Sequence, residues 1–272
     1  KKFLSMQKIW KDRKNKQLYL LHVPKTGGTS VSATLAPLLD KAGLPWHKNA
    51  RPPHDYDFSE FVFIDSHLGN CLNVISKKTA VACMVRNPVN RSISNFLWIY
   101  NSILMKNQKY QEMNNLLERM RFYLFHDEDY SFHKNIQSKF ICNSVSASVF
   151  SGDFIFSYED YSKTWFIEDS PVSTELAIQN LNSFEIVGIT ENHKKFMDDI
   201  SEWMFLNIGL MSSREEYEFA LESKIEDMGS IITTKLLAAE LSALEVEKIV
   251  ENNEHDFEVH EYIKNQIAER VG

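Results

Sequence analysis

Residues 18–39 read LYLLHVPKTGGTSVSATLAPLL, and this stretch decides the fold class. Leu18–Val23 is a short, nearly continuous apolar run, the pattern of a strand buried on both faces of a parallel sheet. Gly27 and Gly28 supply a tight turn with close backbone approach. From Thr29 a helical pattern then runs to about residue 41. A strand, a Gly-containing turn and a helix N-terminus make an anion site, because the N–H groups of the first turn and the helix dipole point the same way. Lys25 adds a full positive charge. The backbone of Thr26, Gly27, Gly28 and Thr29 adds N–H donors, and the hydroxyls of Thr29 and Ser30 are placed to bind or to cap the helix. In the phosphate loop G-x-x-x-x-G-K-[ST] the Lys follows the second Gly, whereas Lys25 precedes both glycines. Magnesium-bound triphosphates also need metal-holding groups at a strand end, and none is visible. The loop is therefore expected to hold an anion without a metal. A Gly-rich turn with no ligand is the plain alternative.

A second motif begins where another apolar run ends. VACMV (81–85) leads directly into RNPVNRSISNF (86–96). Asn87 is a good N-cap and Pro88 suits the first helical position. Arg86 thus leaves the carboxyl end of a strand, where open α/β sheets bind ligands. Arg91, Ser94 and Asn95 lie three and four residues apart and share a helical face. An Arg with a nearby hydroxyl suits a phosphate monoester. Two anion sites on neighbouring strand ends imply one ligand with two separated anionic groups, a description that adenosine 3′-phosphate 5′-phosphosulfate (PAPS) fits. A helix-start Arg in an ordinary salt bridge is the alternative.

Further short apolar runs stand at Phe61–Asp65, Phe154–Ser157 and Glu185–Ile189, with helical stretches expected near 88–106, 110–126, 133–142, 174–182 and 192–209. The alternation predicts an α/β chain, a P-loop-like three-layer fold with a central parallel sheet. Thr233–Glu251 and Asp256–Arg270, the latter with Asp256 as N-cap, predict helices that pack on this body. The whole of 1–272 reads as a single domain with a basic arm over 1–16 and a helical C-terminal part over 211–272. The Pro-rich stretch Arg51–Ser59, flanked by His47 and His54, reads as a loop that could rim the site.

Apolar residues make up 43% of the 272, which excludes a disordered chain, and the net charge of −7 argues against a nucleic-acid partner. Residues 1–16 carry seven bases and one acid, a local +6 that leaves −13 on the other 256. No apolar run approaches the ~18 residues of a membrane span. Cys71, Cys83 and Cys142 are odd in number, without metal-like spacing, and read as reduced thiols. The expected compartment is the cytoplasm, with the Golgi lumen as the alternative had an upstream anchor been removed.

The two binding motifs together resemble those of PAPS-dependent sulfotransferases. The resemblance is strongest to the carbohydrate branch that includes heparan and dermatan 2-O-sulfotransferases and their bacterial relatives. HVPKTGGTS (22–30) is similar to the family's 5′-phosphosulfate loop. RNPVNRSISNF is similar to its 3′-phosphate motif, with Arg86 and Ser94 eight apart. SHLG (66–69) stands where the family has a catalytic His. NIQSKFICN (135–143) resembles an N-x-Q-x-x-x-L-x-G segment, with Ile141 and Asn143 in place of Leu and Gly. FEIVGITENHKKFMDDI (184–200) resembles the family's V-G-x-T-E stretch.

The resemblance implies sulfuryl transfer from PAPS to a hydroxyl, with PAP as product and no metal required. Lys25 would stabilise the leaving phosphate, and His67, an imidazole titrating near neutral pH, would act as general base. Thr26, Gly27, Gly28, Thr29, Ser30, Arg86, Arg91 and Ser94 would hold the nucleotide. A pairing of His67 with Asp65 is a guess. His22 reads as a buried, hydrogen-bonded residue. Trp98 and Tyr100 read as core, with acceptor-side aromatics as the alternative, and Glu191 as a helix cap or a neighbour of the nucleotide. The acidic body favours a neutral or lightly charged saccharide or glycoconjugate as acceptor. A non-catalytic nucleotide-binding protein of the same fold, and a P-loop kinase, are the competing readings.

Overall fold

The structure is a computed structural model. It describes residues 16–48, 60–67, 79–102, 104–127, 134–142, 145–147, 165–167, 172–208 and 228–271. Strand β1 (Gln17–Leu21) leads through the glycine turn into helix α1 (Gly28–Ala42). Then follow β2 (Trp46–Lys48), β3 (Phe63–Ser66), β4 (Thr79–Val85) and α2 (Pro88–Ser102). A 3-10 turn (Leu104–Lys106), α3 (Gln108–Gln111), α4 (Leu116–Phe125) and α5 (Ile136–Ile141) come next. After them are β5 (Val145–Ala147), β6 (Trp165–Ile167), α6 (Thr174–Ser183), β7 (Ile186–Ile189) and α7 (His193–Ile208). Three helices complete the described chain: α8 (Met228–Ala239), α9 (Ala243–Glu251) and α10 (Glu254–Val271).

Five strands form one all-parallel sheet in the order β2-β3-β1-β4-β7. Strand alternation sends Leu18 and Leu20 to one face and Tyr19 and Leu21 to the other. On the first face Leu18 and Leu20 meet Val31 and Leu35 of α1 and Phe196 and Ile200 of α7. On the second, Tyr19 and Leu21 meet Phe140 of α5, Leu181 of α6 and Val259 of α10. The expected three-layer α/β fold with a central parallel sheet is what the structure has. A third cluster, around Phe96, Tyr123 and Ile249, joins α2 to α4, α8 and α9.

Several expected boundaries shift for local reasons. The helix expected over 110–126 is broken, because Asn115 caps a new start by accepting from Glu118 N at 2.9 Å. The 233–251 stretch divides at Ser242, whose capping box with Glu245 starts α9. Strand β2 has three residues and no apolar run to reveal it; pairing with β3 creates it. The short antiparallel pair β5–β6 was likewise not expected. The predicted strand Phe154–Ser157, the basic arm before residue 16, the Arg51–Ser59 loop, His54 and Cys71 lie outside the described residues. Among the described residues no helix is long and apolar enough to cross a membrane, and Cys83 and Cys142 are free.

Candidate active site

Because the sheet is parallel, β1, β3, β4 and β7 all release their chains at one edge. The Val23–Gly27 turn, His67, Arg86 and Thr190 therefore gather there. Helix α1 begins at Gly28, one residue earlier than expected. Its N-cap is Gly27, at φ 96°, with no side-chain cap bond, so neither Thr29 nor Ser30 is the cap. Lys25 is also left-handed, at φ 68°, a conformation that costs a non-glycine residue about 1–2 kcal/mol.

The turn is held from three sides. Thr26 is buried, and its hydroxyl donates to Val23 O at 2.8 Å. Its N–H points to the same carbonyl, so Thr26 braces the turn from within instead of facing the cleft. Lys25 O accepts from Arg86 Nη1 at 3.2 Å. Thr26 O accepts from Thr190 Oγ1 at 2.6 Å, a hydroxyl also 3.1 Å from Val85 O. These bonds turn the loop carbonyls toward the sheet and leave the first N–H groups of α1, which have no carbonyl one turn below, at the open end. Thr29 is exposed there.

Arg86 is fixed through its backbone. Its N–H donates to Gln137 Oε1 at 2.8 Å and its carbonyl accepts from Gln137 Nε2 at 3.0 Å. This two-bond clasp reproduces a strand partner just past the end of β4, and Gln137 belongs to the 135–143 segment. Burial lowers the proton affinity of the guanidinium, the charge of Glu191 offsets part of this, and Arg91 adds to it. An arginine stays charged throughout the working pH range. Asn87 accepts at Oδ1 from Val89 N and Asn90 N, capping α2 as expected. Ser94 is 4% exposed, and its hydroxyl has no protein partner among the described residues.

Arg91, expected to help hold the nucleotide, lies deep in the fold. It is 0% exposed, and its Nε lies 3.9 Å from Asp256 Oδ2, itself enclosed. At that separation the carboxylate acts on the buried guanidinium by charge, with no hydrogen bond from Nε. Asp256 is not the N-cap of α10, which begins two residues earlier. Its carboxylate accepts from Ser138 N at 2.8 Å, Ser138 Oγ at 2.8 Å and Gln137 N at 3.2 Å, and so caps α5 from a distant part of the chain. Nothing in the local sequence signals this, since Asp256 at a helix start has an ordinary explanation.

His67 follows β3. Its Nδ1 lies 2.5 Å from the carbonyl oxygen of His22. A carbonyl only accepts, so Nδ1 carries the proton and the lone pair is on Nε2. Asp65 does not pair with His67. It bonds His22 Nδ1 at 2.9 Å and accepts from Ser32 Oγ, all three side chains being buried. Trp98, expected in the core, is 36% exposed, and Lys25 Nζ sits 5.9 Å from its ring centre. Tyr100 is in the core as expected. Glu191 accepts from Asn87 N at 3.1 Å and faces His260 Nε2 at 3.4 Å, tying the end of β7 to α2 and α10. Among the described residues no group of three His, Cys, Asp or Glu is placed to hold a metal.

The sequence model of the Sulfotransferase family matches residues 7–263. The chain belongs to the sulfotransferase family. Comparison with curated proteins returns no match. Membership assigns sulfuryl transfer to a hydroxyl acceptor in general terms, and the three-layer parallel α/β fold agrees with it. In this sulfotransferase, Lys25, Gly27, Gly28, Arg86 and His67 stand at one sheet edge, with the Ser94 hydroxyl on the helix that Arg86 introduces. Thr26, Arg91 and Asp256 form the frame beneath them.

Proposed function

We propose that this sulfotransferase moves the sulfuryl group of PAPS to a hydroxyl of a sugar or glycoconjugate, in the manner of the 2-O-sulfotransferases that its motifs resemble. The observation that carries the reading is the hydrogen bond from Arg86 to the carbonyl of Lys25. It makes the two anion-holding motifs, from adjacent strands β1 and β4, one rigid unit suited to a ligand with two separated anionic groups. The residues fit such a donor: a left-handed turn opening onto a helix N-terminus for the 5′ end, and Arg86 with the Ser94 hydroxyl, which has no protein partner among the described residues, for a 3′-phosphate.

The donor supplies an activated sulfuryl group with a phosphate as leaving group. The acceptor oxygen forms the new bond to sulfur as the bridging sulfur–oxygen bond breaks, and the acceptor's proton passes to His67 Nε2. Lys25 and the first N–H groups of α1 balance the charge that grows on the departing phosphate oxygen. In such a loose, in-line transfer, positioning and charge stabilisation do most of the work. The −13 balance outside residues 1–16 favours a neutral or lightly charged acceptor.

The test is incubation with PAPS and a panel of sugars, lipids, phenols and peptides in the presence of a chelator, read by mass spectrometry for gain of sulfate. Transfer to a neutral saccharide is expected. Magnesium-dependent phosphoryl transfer from ATP, or PAP binding with no transfer to any acceptor class, would replace this reading.

A further inference from the structure

The contacts of His67 reach a buried group that the mechanism above does not use. The carbonyl of His22 receives Nδ1–H of His67 at 2.5 Å, and the two rings lie against each other, centroids 4.2 Å apart and tilted by 33°. One residue thus holds the His67 ring at its edge and across its face; both contacts come from the end of β1, the strand that carries the anion loop. His22 is itself immobilised. Its Nδ1 is bonded to Asp65 Oδ1, and the other carboxylate oxygen accepts from Ser32 Oγ of α1. On the far side the His22 ring abuts Gly28 so closely that a Cβ there would lie 2.7 Å from Nε2.

Asp65 is 0% exposed, and a carboxylate so placed is not there for solubility. In the low-dielectric interior its charge acts over more than one contact distance. The ionisable groups that these contacts place around the His67 ring are His22 and Asp65, with Lys25 on the connection that follows His22. Of these, Asp65 is the anion.

Resting on the reading of His67 as general base, we propose that Asp65 and His22 are positioning residues for it. Asp65 orients the His22 ring. The His22 carbonyl and ring then fix the Nδ1–H tautomer and the plane of His67, and the Asp65 charge favours the imidazolium formed when Nε2 takes the acceptor's proton. This differs from a catalytic triad in one respect: the carboxylate does not touch the base, and an intervening histidine transmits its position through a backbone carbonyl and a ring face.

Asp65→Asn is the direct test, because it keeps the shape and removes the charge. It is expected to lower kcat by roughly 10–100-fold, the scale of a misplaced catalytic group, with KM for PAPS little changed. The acid limb of the pH–rate profile is expected to move to lower pH, since the imidazolium loses its anion. A purely structural role would change melting temperature and active fraction without moving that limb. Should Asp65→Asn fail to fold, Ser32→Ala, which weakens the hold on Asp65 without removing the charge, is expected to lower kcat by a few-fold. In either case nitrogen-15 spectra of the histidine rings in the unaltered chain, assigned with His67→Asn, are expected to show His67 protonated at Nδ1. The opposite tautomer, or an unmoved His67 titration in Asp65→Asn, overturns the inference. These spectra need neither donor nor turnover, so failure of sulfate transfer would defeat the functional reading while leaving the inference to be judged by the spectra alone.

Discussion

The ring of His22 fills the space that a side chain at Gly28 would need: a Cβ there would lie 2.3 Å from Cδ2 and 2.6 Å from Cγ. The ring cannot swing aside, because Asp65 holds its Nδ1 and His67 lies against its face. Gly28→Ala must therefore lift the start of α1 away from the sheet. It is expected to destabilise the fold by about 1–3 kcal/mol and to weaken PAP binding, read by thermal melting and calorimetry. Unchanged melting and affinity would show that the helix start is not so tightly seated.

Arg86 and Ser94 should separate by ligand. Arg86→Ala is expected to weaken PAP binding by about 10–100-fold, the scale of a hydrogen bond to a charged group, and Arg86→Lys should not restore it, because a lysine lacks the planar fork. Ser94→Ala should cost only a few-fold and leave melting unchanged. Against AMP, which lacks the 3′-phosphate, the Ser94→Ala difference should vanish. Its persistence would remove Ser94 from the phosphate site.

Lys25→Ala and His67→Ala should each lower kcat by about 100-fold or more, in the range of lost charge stabilisation or general acid–base catalysis. PAP affinity should fall in Lys25→Ala but not in His67→Ala. Full turnover by His67→Ala would dismiss it as the base.

Asp256→Ala removes the carboxylate beside the buried Arg91 and the acceptor of Ser138 N and Gln137 N. The expected loss of stability is about 3–5 kcal/mol, measured by denaturant titration. Because Gln137 clasps Arg86, the molecules that remain folded should also bind PAP more weakly. A loss under about 1 kcal/mol would mean that water replaces these bonds.

Acid should destabilise the fold through Asp65. Burial pushes its carboxyl up, but the hydrogen bond and charge of His22, the Ser32 hydrogen bond and the charge of His67 outweigh that and hold it below its ordinary value of 3.8. A native value below the unfolded one means that the unfolded chain binds the proton first. The contribution is complete above the unfolded value, near pH 4, and is lost as pH falls through the native one. Glu191 acts in the same sense, held below its ordinary value by His260 and the Asn87 N–H against the cost of burial. Melting temperature should therefore fall below about pH 4, and Asp65→Asn should flatten that decline while lowering stability at neutral pH. An equally steep decline in Asp65→Asn would assign the acid sensitivity elsewhere.

The parts of the site legible in the sequence are those whose chemistry is local. The Pro24–Ser30 turn and the Arg86–Ser94 spacing each lie within a single strand-to-helix connection, so reading the connection gives the site. The neighbour of Arg91 is not legible, because the carboxylate beside it is 165 positions away in sequence. Asp65 is hidden for a related reason: alternation puts it on the same side as His67, two positions on, and only the pairing of β3 with β1 brings it to His22 instead. Gln137 and Thr190 hold Arg86 and the anion loop through contacts of long sequence separation. Trp98 sits in an apolar run, FLWIY, and only the packing of α2 leaves its ring half outside.

The Arg91–Asp256 pair also sets an order of events. A chain emerging from the ribosome has released every strand of the parallel sheet once residue 189 is clear. Asp256, which stands beside Arg91 and accepts from Gln137 N and Ser138 N at the start of α5, is made only later. Long-range closures of this kind are slow. A nascent chain stalled between these points would carry the five described strands of the sheet without the carboxylate that caps α5, the helix whose Gln137 clasps Arg86. Donor binding would thus report that synthesis has run to α10, and a ribosome-profiling or arrest-peptide measurement could time that moment.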